Sequence, residues 1–197
     1  MRTRLLAATA ALALGTVAQA QEAPTVAGII FQNDMFFRMI QLGMEAQAAA
    51  GAELLMGNSE AKPDKEAQLI DAYISRGVDA IVVSPISAAA SASATALQRA
   101  KNAGIAVVTY NSAVEGDIAA SYLNSNQRDL GETTGTAAAQ FIQRRRGGEA
   151  QIATPGFAAV FPEISGDRIG GFLERAGAGN TLEVVSEQGA WLAEMGF

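Results

Sequence analysis

The sequence predicts an α/β protein built on a doubly wound parallel sheet, and three observations predict it. From about residue 25, short β-rich runs alternate with helical stretches, which is the pattern of repeated βαβ units. The β-rich runs are mostly continuous apolar stretches, as strands covered on both faces require. One phrase also recurs: a helical stretch, a glycine, one or two residues, then a strand. Arg76-Gly77-Val78-Asp79-Ala80 and Asn102-Ala103-Gly104-Ile105-Ala106 are two copies of it, the same helix-ending solution used twice.

Taken in order, strands are expected at 25–31, 52–56, 80–83, 106–110, 119–123, 150–154 and 182–186. Helices are expected at 35–50, 64–76, 88–103, 128–144 and 163–176. The apolar run from Val26 to Phe31 stops at polar Gln32 and Asn33, and Met35 starts helical spacing. Pro63 sits just ahead of the second helix, while Gly51, Gly77 and Gly104 follow the ends of the first three, matching the usual proline-start and glycine-stop asymmetry. The Ala- and Ser-rich stretch from Ser87 to Ala96 is low in complexity. Its length and flanks favour a helix packed closely on the sheet over a linker. The fourth helix runs into Arg144-Arg145-Arg146, where cations complement the helix dipole.

The first five strands fill roughly 100 residues, a normal domain size. A polar step, Asn124-Ser125-Asn126-Gln127, follows, and then a new αβ series supplies two strands before Phe197. The expected organisation is an export signal over residues 1–20, an N-terminal αβ lobe over 21–125 and a partial C-terminal αβ lobe over 126–197. On this reading the first lobe is nearly complete and the chain is C-terminally truncated.

Residues 1–20 carry the marks of a secretory signal peptide. Arg2 and Arg4 form a charged start, Leu5 to Val17 is apolar, and Ala18-Gln19-Ala20 offers small residues for cleavage near Ala20. The apolar run is shorter than the roughly 20 residues a membrane-spanning helix needs. Without Arg2 and Arg4, the 14 basic residues fall to 12 against 20 acidic ones, a net charge of −8. Nucleic-acid binding needs clustered Lys and Arg, so no nucleic-acid partner is expected. There is no His and no Cys. That removes the commonest general base, the commonest zinc ligand, thiolate chemistry and every Ser-His-Asp arrangement. No enzyme activity, no cofactor and no metal are expected, and an enzyme would have to rely on carboxylates such as Asp34 with Ser or Tyr.

In an open parallel sheet, ligands bind just outside the carboxyl ends of the strands. Those ends carry Gln32, Asn33 and Asp34 after the first strand, Ser84 after the third, Asn111 and Ser112 after the fourth, and Asn124 and Ser125 after the fifth. Each could serve equally as a turn or cap residue. Together they form a set of neutral amides and hydroxyls with one carboxylate, suited to a neutral, hydroxyl-rich ligand. Phe36 and Phe37 add flat apolar faces of the kind sugar rings need, or else are core residues of a helix's first turn. In the second series, Phe157 follows a strand and Arg168 lies near the start of a helix. Arg168 offers either a rigid donor fork into a cleft or an ion pair with Asp167 or Glu163. Trp191, after the last strand, is either a stacking face or core. No phosphate-binding GxxxxGK[ST] loop and no GxSxG elbow occur.

The residues Asn33-x-x-Phe36-Phe37, Gly77-Val78-Asp79-Ala80-Ile81-Val82-Val83-Ser84-Pro85, Gly104-Ile105-Ala106-Val107-Val108-Thr109-Tyr110-Asn111 and Arg168-x-x-Gly171-Phe172 resemble the periplasmic sugar-binding proteins of ABC transporters, of the ribose/galactose type (type I). The resemblance runs from about Pro24 to Phe197. It implies two αβ lobes joined by three strands and closing on a ligand by hinge bending. It also implies a periplasmic, monomeric receptor that captures a small carbohydrate and delivers it to a membrane permease, with a chemoreceptor as a further candidate partner. By position, Asn33, Phe36 and Phe37 match residues that hydrogen-bond and sandwich the sugar. Ser84, Asn111 and Arg168 match polar contacts, Trp191 matches the aromatic of the opposing lobe, and Asn124 opens the first hinge crossing. Asn111-Ser112 stands where sugar binders commonly carry Asp-Arg, which points away from ribose towards another sugar or a polyol. A non-sugar ligand on the same scaffold, such as a signalling furanone, nucleoside or amide, is the alternative.

Overall fold

In the computed structural model, residues 22–86 and 92–190 are described. Within them the order is β1 (Thr25–Ile30), α1 (Met35–Ala48), β2 (Glu53–Asn58), α2 (Pro63–Arg76), β3 (Ala80–Val83), α3 (Ala92–Asn102), β4 (Ala106–Tyr110), β5 (Ser121–Leu123), α4 (Gln127–Arg146), β6 (Glu149–Gly156), α5 (Pro162–Ala176) and β7 (Thr181–Gly189). The first five strands form one sheet in the order β2-β1-β3-β4-β5, and β6 pairs with β7 in a second sheet. All pairings are parallel. Every strand of a sheet therefore ends at the same edge.

The first sheet is covered on both faces, which is why its strands read as continuous apolar runs. On one face, Ala27, Ile29, Ile81, Val83 and Val107 pack against Ile70 and Tyr73 of α2 and Ala96, Leu97 and Ala100 of α3. On the other, Ile30, Met56, Val82 and Tyr110 meet Phe37, Ile40 and Met44 of α1. Gly77 ends α2 in the left-handed region at φ 69°, with its amide bonded back to Ile74 and Tyr73. Gly104 does the same work after α3 at φ 83°. Both positions favour glycine because a Cβ there is strained.

Some boundaries differ from the sequence expectation. β2 runs on to Asn58 because Gly57 and Asn58 pair with Ile29 and Ile30 of β1. Gly57 is tolerated there since a Cβ would press on the Tyr73 hydroxyl at 2.8 Å. β5 is only three residues long, shorter than the predicted 119–123. β6 and β7 are longer than predicted, their ladder reaching the pair Gly156–Gly189. The predicted start of the third helix and all of the export signal lie outside the described residues. Arg144, Arg145 and Arg146 occupy the last turn of α4, as the dipole argument expects.

α4 and α5 pack against β6 of the second sheet and cross at backbone contact. A Cβ on Gly131 would run into the carbonyl of Arg168, one on Gly135 into that of Phe172, and one on Gly171 would sit 2.5 Å from the carbonyl of Arg128. Three glycines thus let the two helix backbones touch. Around the crossing, Glu132 accepts from Arg175 at 2.7 Å, and Arg128 bonds Glu174. β7 is exposed along most of its length, and Val185 is 53% exposed.

Glu66 of α2 is fully buried. One carboxylate oxygen accepts from the Ile86 amide at 3.2 Å, and the other has no hydrogen-bond partner within bonding distance among the described residues. Burial pushes this carboxyl up to about 7, against the weaker opposing pull of the Ser93 hydroxyl, the Ile86 amide and the Ser59 hydroxyl.

A carboxyl that ordinarily titrates near 4.5 and is raised in the folded state binds its proton more tightly when folded. Its contribution to stability is complete below pH 4.5 and is lost as pH rises towards 7, in all on the order of 3 kcal/mol. Glu66→Gln is expected to flatten that decline, as read by urea denaturation at a series of pH values. An unchanged pH profile would contradict the assignment. Gly131→Ala should destabilise by roughly 1–3 kcal/mol or more through overpacking, whereas Gly43→Ala, where nothing lies near the added Cβ, should be neutral or stabilising in the same assay.

Candidate functional site

β1, β3 and β4 all end at the edge of the sheet that faces α5, and the residues just beyond them form one side of a cleft. From the first unit Phe31, Gln32, Asp34, Phe36, Phe37 and Asn111 line it; from the second, Phe157, Val160, Phe161, Ile164, Arg168 and Ala190 do so, around a volume of about 310 Å³. Small-molecule sites begin at about this size.

Local chemistry explains the placement of each side chain. Asp34 is the N-cap of α1: one oxygen accepts from the Phe37 amide at 2.9 Å and the other from the Gln32 side-chain amide at 2.6 Å. This cap turns the chain so that Phe36 and Phe37 diverge. Phe37 is only 3% exposed and packs at 5.4 Å from Phe31, while Phe36 is 56% exposed and meets Phe37 edge-on at 5.0 Å. The two readings of the Phe pair therefore divide between them: Phe37 is core with one edge at the cleft, and Phe36 is the open face.

Asn111 follows β4 in the left-handed region at φ 60°, a conformation asparagine accepts more readily than most residues. Its carbonyl accepts from the Tyr122 hydroxyl at 3.0 Å, and its side-chain amide donates to Ser84 Oγ at 3.2 Å. Ser84 is fully buried, with Ser112 Oγ 3.4 Å away, and Ser112 in turn donates to the Pro85 carbonyl. Ser84 thus stands behind Asn111 and orients it; it does not line the cleft. Beneath them the Tyr110 hydroxyl donates to the Ile29 carbonyl at 2.9 Å. Burial, and then the charge of Glu66, drive that phenol well above its usual range, so it stays a neutral donor.

Across the cleft, the Arg168 guanidinium lies over the Phe157 ring, 5.0 Å from its centre. It donates through Nε at 3.0 Å, and also through Nη2, to the side-chain carbonyl of Gln127. Among the described residues it forms no ion pair with Asp167 or Glu163. Phe161 reaches over from the second unit to pack 4.9 Å from Phe31.

Of the residues singled out from the sequence, the structure brings Asp34, Phe36, Phe37, Asn111 and Arg168 to one cleft. Asn33 is exposed and does not line it. Asn124 is exposed on the crossing between the units, accepting from Gln127. Trp191 lies outside the described residues, directly after Ala190. Sequence reasoning missed Phe161, Ile164 and Gln127. The glycine spacing Gly131-x-x-x-Gly135 opposite Gly170-Gly171 is the signal that would have paired the two helices and so exposed Gln127.

Residues 26–196 match the family described as periplasmic binding protein domain. The chain belongs to this family. Over 141 residues it is 26% identical to the ABC transporter periplasmic-binding protein YphF of Escherichia coli K12, which covers 68% of this chain and 42% of that protein. Two solved structures share its fold. One, from Mycobacterium smegmatis in complex with β-D-fucofuranose, superposes with a TM-score of 0.76 at 23% identity, over 85% of this chain and 55% of its own. The other is an ABC transporter periplasmic solute binding protein from Actinobacillus succinogenes 130z with bound D-allose. It gives a TM-score of 0.74 at 21% identity, over 87% and 62%. The chain thus spans about half the length of these relatives. The type I periplasmic binding protein fold expected from the sequence is the fold observed.

The two Phe residues should separate by experiment. Phe37→Ala is expected to cost roughly 3–5 kcal/mol, as buried Phe truncations do. Phe36→Ala should cost about 1 kcal/mol or less. Chemical denaturation of both variants checks this, and similar losses would contradict the division of roles.

Proposed function

We propose that this chain is the substrate-binding component of an ABC transporter, capturing a small carbohydrate or polyol between its two αβ units for delivery to a membrane permease. The observation that carries the proposal is the two-sided cleft. The open aromatic face of Phe36 stands on one wall and the ring of Phe157 on the other, with the Arg168 guanidinium above it and the Asn111 amide opposite. A sugar has an apolar ring face and a rim of hydroxyls, so it needs both kinds of contact at once. The β-D-fucofuranose and D-allose bound by the two structural relatives support the same class of ligand.

On this reading, residues 1–20 direct export to the periplasm, and residues 21–125 and 126–197 belong to two lobes that close on the ligand. Closure would hide the sugar from water and create the surface that the permease, and in some settings a chemoreceptor, recognises. Binding and release suffice for this task, so no catalytic group is assigned. The receptor acts as a monomer.

A thermal-shift screen of the mature protein against pentoses, hexoses and inositols tests the proposal. A ligand that binds only the folded state stabilises it by roughly 2.7 kcal/mol at a hundred times its dissociation constant. One neutral sugar or polyol is expected to raise the midpoint, and Arg168→Gln or Phe36→Ala to abolish the rise. Silence across that panel, with a shift from a nucleoside or an amide instead, would overturn the assignment to carbohydrate.

A further inference from the structure

Gln127 is the first residue of α4 and is 7% exposed. Its carboxamide is used at both ends. The oxygen accepts from Arg168 Nε at 3.0 Å and from Nη2, while the nitrogen donates to Asn124 Oδ1 at 2.9 Å and to the Ser125 carbonyl at 3.0 Å. Asn124 and Ser125 belong to the segment that crosses from the first unit to the second, and Asn126 beside them caps α4 by accepting from the Asp129 amide at 3.1 Å. One side chain therefore holds the cleft arginine with its acceptor and the crossing with its donors.

We infer that Gln127 is a positioning residue that couples occupancy of the cleft to the conformation of the crossing between the two units. The geometry leaves little slack in this link. The backbone of Arg168 is pressed against Gly131, one turn along α4 from Gln127, so the two residues cannot drift apart along their helices. The guanidinium is bounded by Gln127 on one side and the Phe157 ring on another. Arginine carries five N–H donors in a rigid planar fork. Gln127 takes two of them, and among the described residues no hydrogen bond occupies the rest. A ligand that engages the remaining donors fixes the fork, the fork fixes the carboxamide plane, and that plane fixes the donors to Asn124 and Ser125. Glutamine suits this work because it joins an acceptor and a donor in one rigid group. Glutamate offers only acceptors and leucine neither.

This inference rests on the binding role proposed above, and its test separates the two. Hydrogen exchange of the amides at 125–128 is measured on the mature protein without ligand, for wild type, Arg168→Ala, Gln127→Leu and the double variant. Arg168→Ala is expected to speed exchange there roughly threefold or more in the presence of Gln127, and to add nothing in the Gln127→Leu background. If the two substitutions act independently, the coupling is refuted. This arm is decisive whether or not a sugar is found, so a failed sugar screen counts against the binding role alone.

The second arm uses the sugar that shifts the wild-type midpoint. It should slow exchange at 125–128 in wild type. Gln127→Glu keeps an acceptor for Arg168 and should bind the same sugar while losing that protection. Gln127→Leu should bind it roughly tenfold or more weakly, since it frees an arginine held by a hydrogen bond. Protection retained in Gln127→Glu would overturn the inference. If Gln127→Leu fails to fold, Gln127→Glu and Arg168→Ala carry both arms.

Discussion

The contact of α4 with α5 is the constraint on which the site depends. Three glycines bring the two backbones together, at a range that no side chain would allow. A pair of helices packed on ordinary side chains sits 8–10 Å apart and can shift by small amounts. This pair is locked by its own main chain, and ion pairs among Arg128, Glu132, Glu174 and Arg175 close over the seam. The lock sets where Arg168 leaves its helix, and so where the polar wall of the cleft stands relative to the sheet edge that carries Asn111 and Phe36.

Opposite that wall, the first unit achieves precision by a different route. Its residues sit at strand ends in a fully parallel sheet, so the register of β1, β3 and β4 delivers Phe31, Ser84 and Asn111 to one edge. Buried hydroxyls then orient the half-buried amide, with Ser84 beneath Asn111 and Ser112 against Pro85. The polar groups that reach the cleft are few. Behind them Ser84, Ser112 and the Tyr110 hydroxyl are held by hydrogen bonds of their own, the kind of internal support that lowers the cost of ordering a surface.

Much of the fold was legible in the sequence. Continuous apolar runs mark strands buried on both faces, and Gly77 and Gly104 mark helix ends by their chemistry. Boundaries were missed where pairing overrode local preference. Gly57 and Asn58 lie beyond the expected 52–56, yet β1 supplies them with partners; Glu187 and Gln188 lie beyond the expected 182–186, yet β6 carries them on as strand. In the site, Arg168, Asn111 and Phe36 were legible because strand-end and helix-start positions identify them. Ser84 was seen but given a direct contact, since sequence does not separate a residue that touches a ligand from one that aims its neighbour. Phe161 left no trace because its partner, Phe31, comes from an interunit contact that no periodicity encodes, whereas Gln127 was named only as part of the polar step, its partner Arg168 being reached through a helix crossing signalled by glycine spacing alone.

The strand order β2-β1-β3-β4-β5 also bears on how the molecule comes to exist. Every pairing in the first sheet joins strands that are consecutive in sequence, or, for β1 with β3, separated by one strand only. Parallel sheets are slow to assemble when their partners are distant, because long loops must close before contacts form. Here each new helix and strand finds its neighbour already in place. The sheet can therefore grow outwards from β1 as the chain emerges, with little waiting for residues still to come.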